Sequence, residues 1–388
     1  MDRRDFIKLG TTAASALFFN SALFADVKRD NEKILILLEL KGGNDGLNTI
    51  VPTGSEYTIY RNVRPTLALD RTDILPLDAK SGMHPSLQSL YPLWKSKTMA
   101  IVQGVGYPDP NRSHFKSIAI YNTATSDNHT HRGWIDRIFE PIRPDEAIFA
   151  RGIAMGNREL GPLYGKRVRA VTMDSPKRYL KQAQIVEAIE KRTSHPMLSH
   201  IIDIENEIAT TSKALESRLH GHCSTLTGFP KTKLGRDFKH IAQLIACGVR
   251  TPVYKVTHDG FDTHVNQKEK HGRRLKEFAD AVASFENTMK TIGRWNDVVV
   301  MTYSEFGRRV AENGGRGTDH GTASVQFVFG GSVRGGFYGR EPSLERLDKN
   351  GDLIYTTDFR SLYKNVALHC FGKTPDFLAS YPFLNIFS

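Results

Sequence analysis

The chain has 388 residues and a formal net charge of +11, with 39 % hydrophobic and 24 % charged residues. That is an ordinary globular balance, large enough for one large α/β domain or two small ones. The basic surface favours an anionic small molecule or polysaccharide as partner, and the absence of a nucleic-acid motif or dense basic run argues against nucleic acid.

The chain opens on Met1-Asp2-Arg3-Arg4-Asp5-Phe6-Ile7-Lys8, a charged segment with paired arginines, followed by a weakly apolar run from Leu9 to Phe19. This reads as a twin-arginine signal over residues 1–25, ending at Ala22-Leu23-Phe24-Ala25. It predicts a periplasmic or secreted protein exported already folded. The run is too short and polar to span a bilayer, and nothing later is apolar enough, so no stable membrane span is expected after signal removal. The wide spacing of Cys223, Cys247 and Cys370 gives neither a zinc pattern nor a disulfide framework, though one pair could bridge in an oxidising compartment.

Residues 34–40 form a continuous apolar run, a strand buried on both faces, closed by the glycine-rich loop Lys41 to Asn48 with Asp45 in it. A helix follows from His84 to Trp94, a strand over residues 99–103 and a helix over 111–124. Residues 182–219 read as a charged helical excursion, and 234–249 as another helix. A strand at 252–256 runs into Gly260-Phe261-Asp262-Thr263-His264, before a long helix over 265–292. Strands at 297–302 and 325–329 complete the pattern. Buried strands alternating with helices indicate an α/β fold, a doubly wound, mostly parallel sheet flanked by helices, in one domain over residues 26–388.

The polar clusters all follow the carboxyl ends of expected strands, where open α/β sheets bind ligands. They are Asp45, then Asp262 with His264, then Glu305 with Arg308, then Asp319 with His320. Carboxylates mixed with imidazoles favour zinc or manganese over calcium or magnesium, and such a divalent metal can polarise a phosphoryl or sulfuryl oxygen. Ser113, at the start of a helix, is a candidate nucleophile or merely an N-cap. His114 beside it is a ligand or a base, and Arg308 is a candidate clamp for an anionic oxygen. His129 and His131 read as a surface loop, and His271 as a surface residue of the long helix.

On these motifs the chain resembles the bacterial domain-of-unknown-function family fifteen-oh-one, usually twin-arginine exported and similar to the alkaline phosphatase and sulfatase superfamily. The likeness rests on residues 40–48, Ser113-His114-Phe115, residues 260–264, Ser304-Glu305-Phe306-Gly307-Arg308, residues 317–321 and residues 356–360. It implies an alkaline-phosphatase-like fold with Asp45, Asp262, His264 and His320 as metal ligands and Ser113 near the place of the nucleophile. Residues 295–302 resemble the sulfatase strand that leads to a Ser-Asp-His-Gly motif.

Here that motif has become Ser304-Glu305-Phe306-Gly307, so one imidazole ligand is absent. The second metal is then lost, held by His114, or replaced by Arg308. The Cys/Ser-x-Pro-x-Arg motif of formylglycine sulfatases is also missing. The expected activity is metal-dependent hydrolysis of a phosphate or sulfate ester. Asp45, Asp262, His264, Glu305, Asp319 and His320 are the candidate metal ligands, and Ser113, His114 and Arg308 the candidate catalytic residues. The alternatives are a non-catalytic metal- or polysaccharide-binding envelope protein and a phosphomutase or phosphotransferase.

Overall fold

The apolar run Ile34–Lys41 forms strand β1, and its alternation sets the layers of the fold. Ile36, Leu38 and Leu40 pack into one apolar cluster, while Leu35 and Leu37 pack into a second on the opposite face. A strand covered on both faces has no side left for polar residues, which is why the run is almost wholly apolar. The computed structural model describes residues 33–388 except 128, 140–148, 169, 184–194, 196, 197, 199–201, 203–211, 214 and 220–225. The expected signal at 1–25, Cys223 and most of the 182–219 stretch lie outside the described residues.

The other strands of the main sheet are β2 (Met99–Gly106), β3 (Gly152–Met155), β4 (Ala170–Met173), β5 (Val253–Asp259), β6 (Val298–Tyr303), β7 (Ser324–Phe329), β8 (Gly336–Tyr338) and β9 (Thr357–Asp358). Their order is β8-β2-β7-β6-β1-β5-β3-β4, with β9 beside β2. β1 lies centrally and parallel to both β5 and β6, Leu35 pairing with Val253 and Val299. β7 alone runs antiparallel to its two neighbours.

Four helices position the site: α1 (His114–Thr123), α2 (Lys233–Ala246), α3 (Gln267–Thr291) and α4 (Phe359–Phe371). α3 buries Leu275, Phe278, Val282, Phe285 and Met289, spaced to face one way. With Phe238 and Ile241 of α2 they join the Leu38 side of the sheet. Tyr121 of α1 and Leu362 and Val366 of α4 join the Leu35 side. The sheet is thus doubly wound, as the alternation of strands and helices predicts.

The five expected strands and the helices ending near 124, 249 and 292 are present. Residues 84–94 differ: a 3₁₀ turn at Pro85–Leu90 precedes a short helix at Tyr91–Lys95, since each begins with a proline at or next to its first position. A small antiparallel sheet of 50–52, 75–76 and 81–83 was not foreseen. Among the described residues no helix is long and apolar enough to cross a membrane. Cys247 is disulfide-bonded and Cys370 is free.

Candidate metal centre

Three neighbouring strands, β6, β1 and β5, end at one edge of the sheet. Their loops bring Glu305, Gly42 and Asp262 together there. Because β7 is antiparallel it starts at that same edge, and the segment before it supplies Asp319 and His320. The N-terminus of α1, following β2, supplies His114. Gly42 has φ +119°, and a Cβ there would collide with the backbone of Asp262, so only glycine lets the two loops approach.

Arg308 ties these loops together from below. Its side chain is fully buried, with Nε donating to the Gly43 carbonyl at 2.9 Å and Nη1 to that of Thr318 at 2.9 Å. Nη2 reaches the Gly42 and Phe261 carbonyls and Asp262 Oδ1, the last at 2.6 Å. Every guanidinium nitrogen is engaged by the protein. The anion clamp expected of Arg308 is therefore corrected: depth and backbone carbonyls make it an organiser of the loops.

Above Arg308 three imidazoles converge on Asp262. His264 Nε2 lies 3.1 Å and His320 Nε2 3.3 Å from Asp262 Oδ1, and His114 Nε2 lies 3.5 Å from Oδ2. The Nε2 atoms of His264 and His320 are 2.9 Å apart. Each ring is held by its other nitrogen. His114 Nδ1 faces Glu305 Oε1 at 2.9 Å, His264 Nδ1 faces Asp319 Oδ1 at 3.0 Å, and His320 Nδ1 faces the Arg112 carbonyl at 2.9 Å. A carbonyl only accepts, so His320 carries its proton on Nδ1, and the carboxylates favour the same tautomer in the other two rings.

Three Nε2 lone pairs then point at one carboxylate. Lone pairs this close repel unless a cation lies among them. Donors about 2.0 Å from one tetrahedral ion sit about 3.3 Å apart, close to the 2.9 to 3.5 Å that separate Asp262 from the three rings and His264 from His320. His114, Asp262 and His320 each offer an atom within 4.8 Å of the others, and His264 stands beside this group with its Nε2 2.9 Å from that of His320. Imidazole held through Nδ1 by a carboxylate or carbonyl is the usual support of a metal-ligating histidine. These residues fit a divalent metal ion.

The charges divide the rings, favouring the protonated form at His114, which must give up that proton to ligate, and the neutral form at His320. The Glu305 hydrogen bond raises the His114 pKa against the effect of burial. Burial lowers that of His320, which keeps its ring neutral and able to ligate. Burial opposes ionisation of Asp262, but the hydrogen bond and charge of Arg308 outweigh it and hold the carboxyl below its ordinary value. Asp319 is held low by its hydrogen bond from Asn313, with His264 adding to it.

Several expected ligands stand elsewhere. Glu305 and Asp319 do not join the converging donors; each holds a histidine through Nδ1. Asp45 is buried away from them, its Oδ2 accepting from Arg64 at 2.6 Å and from Gln267. The reason is Arg64, a fully buried cation that needs a counter-charge. His114, read as ligand or base, belongs to the cluster. At the departure from the sulfatase motif, Phe306 packs its ring 4.9 Å from that of His114 and 4.5 Å from that of His320. Ser113 is exposed at the N-cap of α1, and its hydroxyl makes no capping bond. His129 and His131 are exposed, whereas His271 is buried on α3, its Nε2 3.0 Å from Asn44 Oδ1.

A cleft of about 780 Å³ opens beside the cluster, with His114, Asp262 and Glu305 on its rim. Its walls include Phe115, 87 % exposed, and Tyr164, 57 % exposed. Its floor holds Glu39, Lys255 and Asn122. Sequence reasoning missed this cleft. The available signal was the i, i+4, i+8 series His114, Ile118, Asn122 along α1, which puts all three on one helix face.

Solved structures similar to the chain include the C-terminal periplasmic domain of EcEptC from Escherichia coli in complex with Zn, at 8 % identity and TM-score 0.37, covering 78 % of this chain and 74 % of that one. A protein in the alkaline phosphatase superfamily from Vibrio parahaemolyticus matches at 7 % identity and TM-score 0.37, covering 89 % and 68 %. Ps i-CgsB in complex with k-i-k-neocarrahexaose matches at 10 % identity and TM-score 0.39, covering 92 % and 76 %. No curated protein matches the chain. Residues 106–358 match the family described as protein of unknown function (DUF1501), and the chain belongs to that family.

Proposed function

We propose that this chain is a metal-dependent hydrolase of a phosphate or sulfate ester, acting in the periplasm. It is a single domain over residues 26–388, sent out folded by the twin-arginine signal at residues 1–25. The observation that carries the reading is the convergence of three imidazole Nε2 atoms on Asp262. His114, His264, His320 and Asp262 hold the ion, zinc or manganese. Glu305, Asp319 and the Arg112 carbonyl keep the imidazoles in the ligating tautomer. The metal supplies Lewis-acid polarisation of the ester oxygen when bound. Ser113, with a hydroxyl free of capping and the first-turn N–H groups of α1 beside it, is the attacking group, with water as the alternative.

The test is elemental analysis of protein purified after export, beside the Asp262→Ala, His320→Ala double variant, followed by an ester screen. Stoichiometric zinc or manganese in the parent alone, with release of phosphate or sulfate, supports the reading. Metal without turnover supports the second one, a non-catalytic metal-binding envelope protein. One observation favours that second reading: Arg308 offers no free guanidinium to an anion. No metal in either protein, even after reloading, sinks both.

A further inference from the structure

The floor of the cleft carries polar groups that the metal centre does not use. Glu39 and Lys255 are each 2 % exposed and face each other, Lys255 Nζ lying 2.8 Å from Glu39 Oε2 and 3.1 Å from Thr257 Oγ1. An ammonium has three N–H donors, and these contacts engage two. Glu39 Oε1 and Asn122 Oδ1 have no hydrogen-bond partner among the described residues, though both are buried atoms of the cleft lining. A Cβ on Gly161 would lie 3.0 Å from Asn122 Oδ1 and 3.1 Å from Lys255 Cε, so this glycine passes close to both and puts no side chain over them.

We propose that this floor is a hydroxyl-recognising subsite, so that the organic half of the substrate is an oligosaccharide rather than an aryl or alkyl group. A purely apolar group would leave Glu39 Oε1 and Asn122 Oδ1 buried without partners, at about 1–3 kcal/mol each. An ammonium would meet the positive charge of Lys255. A neutral hydroxyl can donate to either acceptor and accept the remaining Lys255 N–H. The apolar face of a sugar ring suits the exposed rings of Phe115 and Tyr164 on the walls. Asn122 lies eight residues along α1 from His114, about 12 Å by helix rise, farther than one sugar ring spans. The inference deepens the ester-hydrolase reading and rests on it for the anionic end alone.

Metal-loaded protein is titrated by calorimetry with a disaccharide monosulfate and monophosphate, and with phenyl sulfate and phenyl phosphate. The parent is compared with Asn122→Leu and with Gly161→Asn. Gly161 has φ +51°, the left-handed region in which asparagine is among the least strained side chains, so that variant covers Asn122 and Lys255 at a small backbone cost, and an unchanged circular dichroism spectrum checks its folding. Disaccharide esters are expected to bind roughly tenfold more tightly than phenyl esters, a margin both variants remove while phenyl-ester affinity stays. No margin, or one that survives the variants, overturns the subsite and leaves its acceptors to water. If no ester binds, the hydrolase reading fails, and the unesterified disaccharide decides separately: binding lost in the variants keeps the subsite, and no binding overturns it.

Discussion

The backbone carbonyl of Arg112 accepts the Nδ1–H of His320 at 2.9 Å, across 208 residues of sequence. Arg112 is itself anchored by Asp352, which is fully buried, and it stands two residues before His114. One anchored arginine therefore sets the tautomer of one imidazole and the placement of another.

Asp352→Asn should loosen that anchor without touching the donors. Metal affinity is expected to fall about tenfold, at the low end of such outer-contact losses. Competition with a chelator measures it, and an unchanged circular dichroism spectrum separates loosening from unfolding. Affinity equal to the parent would mean that Arg112 is held well enough by its own loop.

Glu305→Gln and Asp319→Asn should each weaken metal binding by about 10- to 100-fold and not abolish it, because each carboxylate meets a histidine through Nδ1. Asp262→Ala and His320→Ala should abolish stoichiometric binding. Were Glu305→Gln as damaging as Asp262→Ala, Glu305 would be a direct ligand after all.

Arg308→Lys should cost on the order of 3 kcal/mol, read as a lower urea midpoint. A lysine cannot reach the Gly42, Gly43, Phe261 and Thr318 carbonyls together, and buried carbonyls are left unpaired. An unchanged midpoint would contradict the organising role.

Burial lowers the pKa of His271 to about 4 and that of His84 to about 3, so both are neutral in the folded protein at neutral pH. The unfolded chain takes up their protons near 6.5, so between that pH and about 4 it binds more protons than the folded one. Stability is full above about pH 6.5 and falls as pH drops through this window, by roughly 3 kcal/mol for His271 alone. His271→Asn should flatten the acid limb of a stability profile for the metal-free protein. An equally steep limb in the variant would assign it to other groups.

The fold was legible where burial is complete. β1 and the first half of β6 are apolar runs because both faces of the sheet are covered there. β3 (Gly152–Met155) and β4 (Ala170–Met173) have four residues each, too few for a period to register. The meeting of Asp262, His264 and His320 was legible because they follow or precede strands that share one edge. Asp45 was misread because its partner Arg64 lies 19 residues on, in a stretch with no strand pattern. Arg308 was misread because a guanidinium on the surface and one beneath the loops have the same sequence, and only depth separates clamp from organiser. Glu39 and Lys255 were hidden inside runs that read as core.

The Arg308 staple has a kinetic consequence. It fixes the Asp262 and Thr318 segments to the β1 loop, and a β-bridge joins Arg308 itself to His320. In the proposed site all four donors are thus held in place, Asp262 by Arg308 and the three imidazoles through Nδ1. Metal capture at that site is then a docking event on a folded protein, and not a step in which the chain must first organise itself.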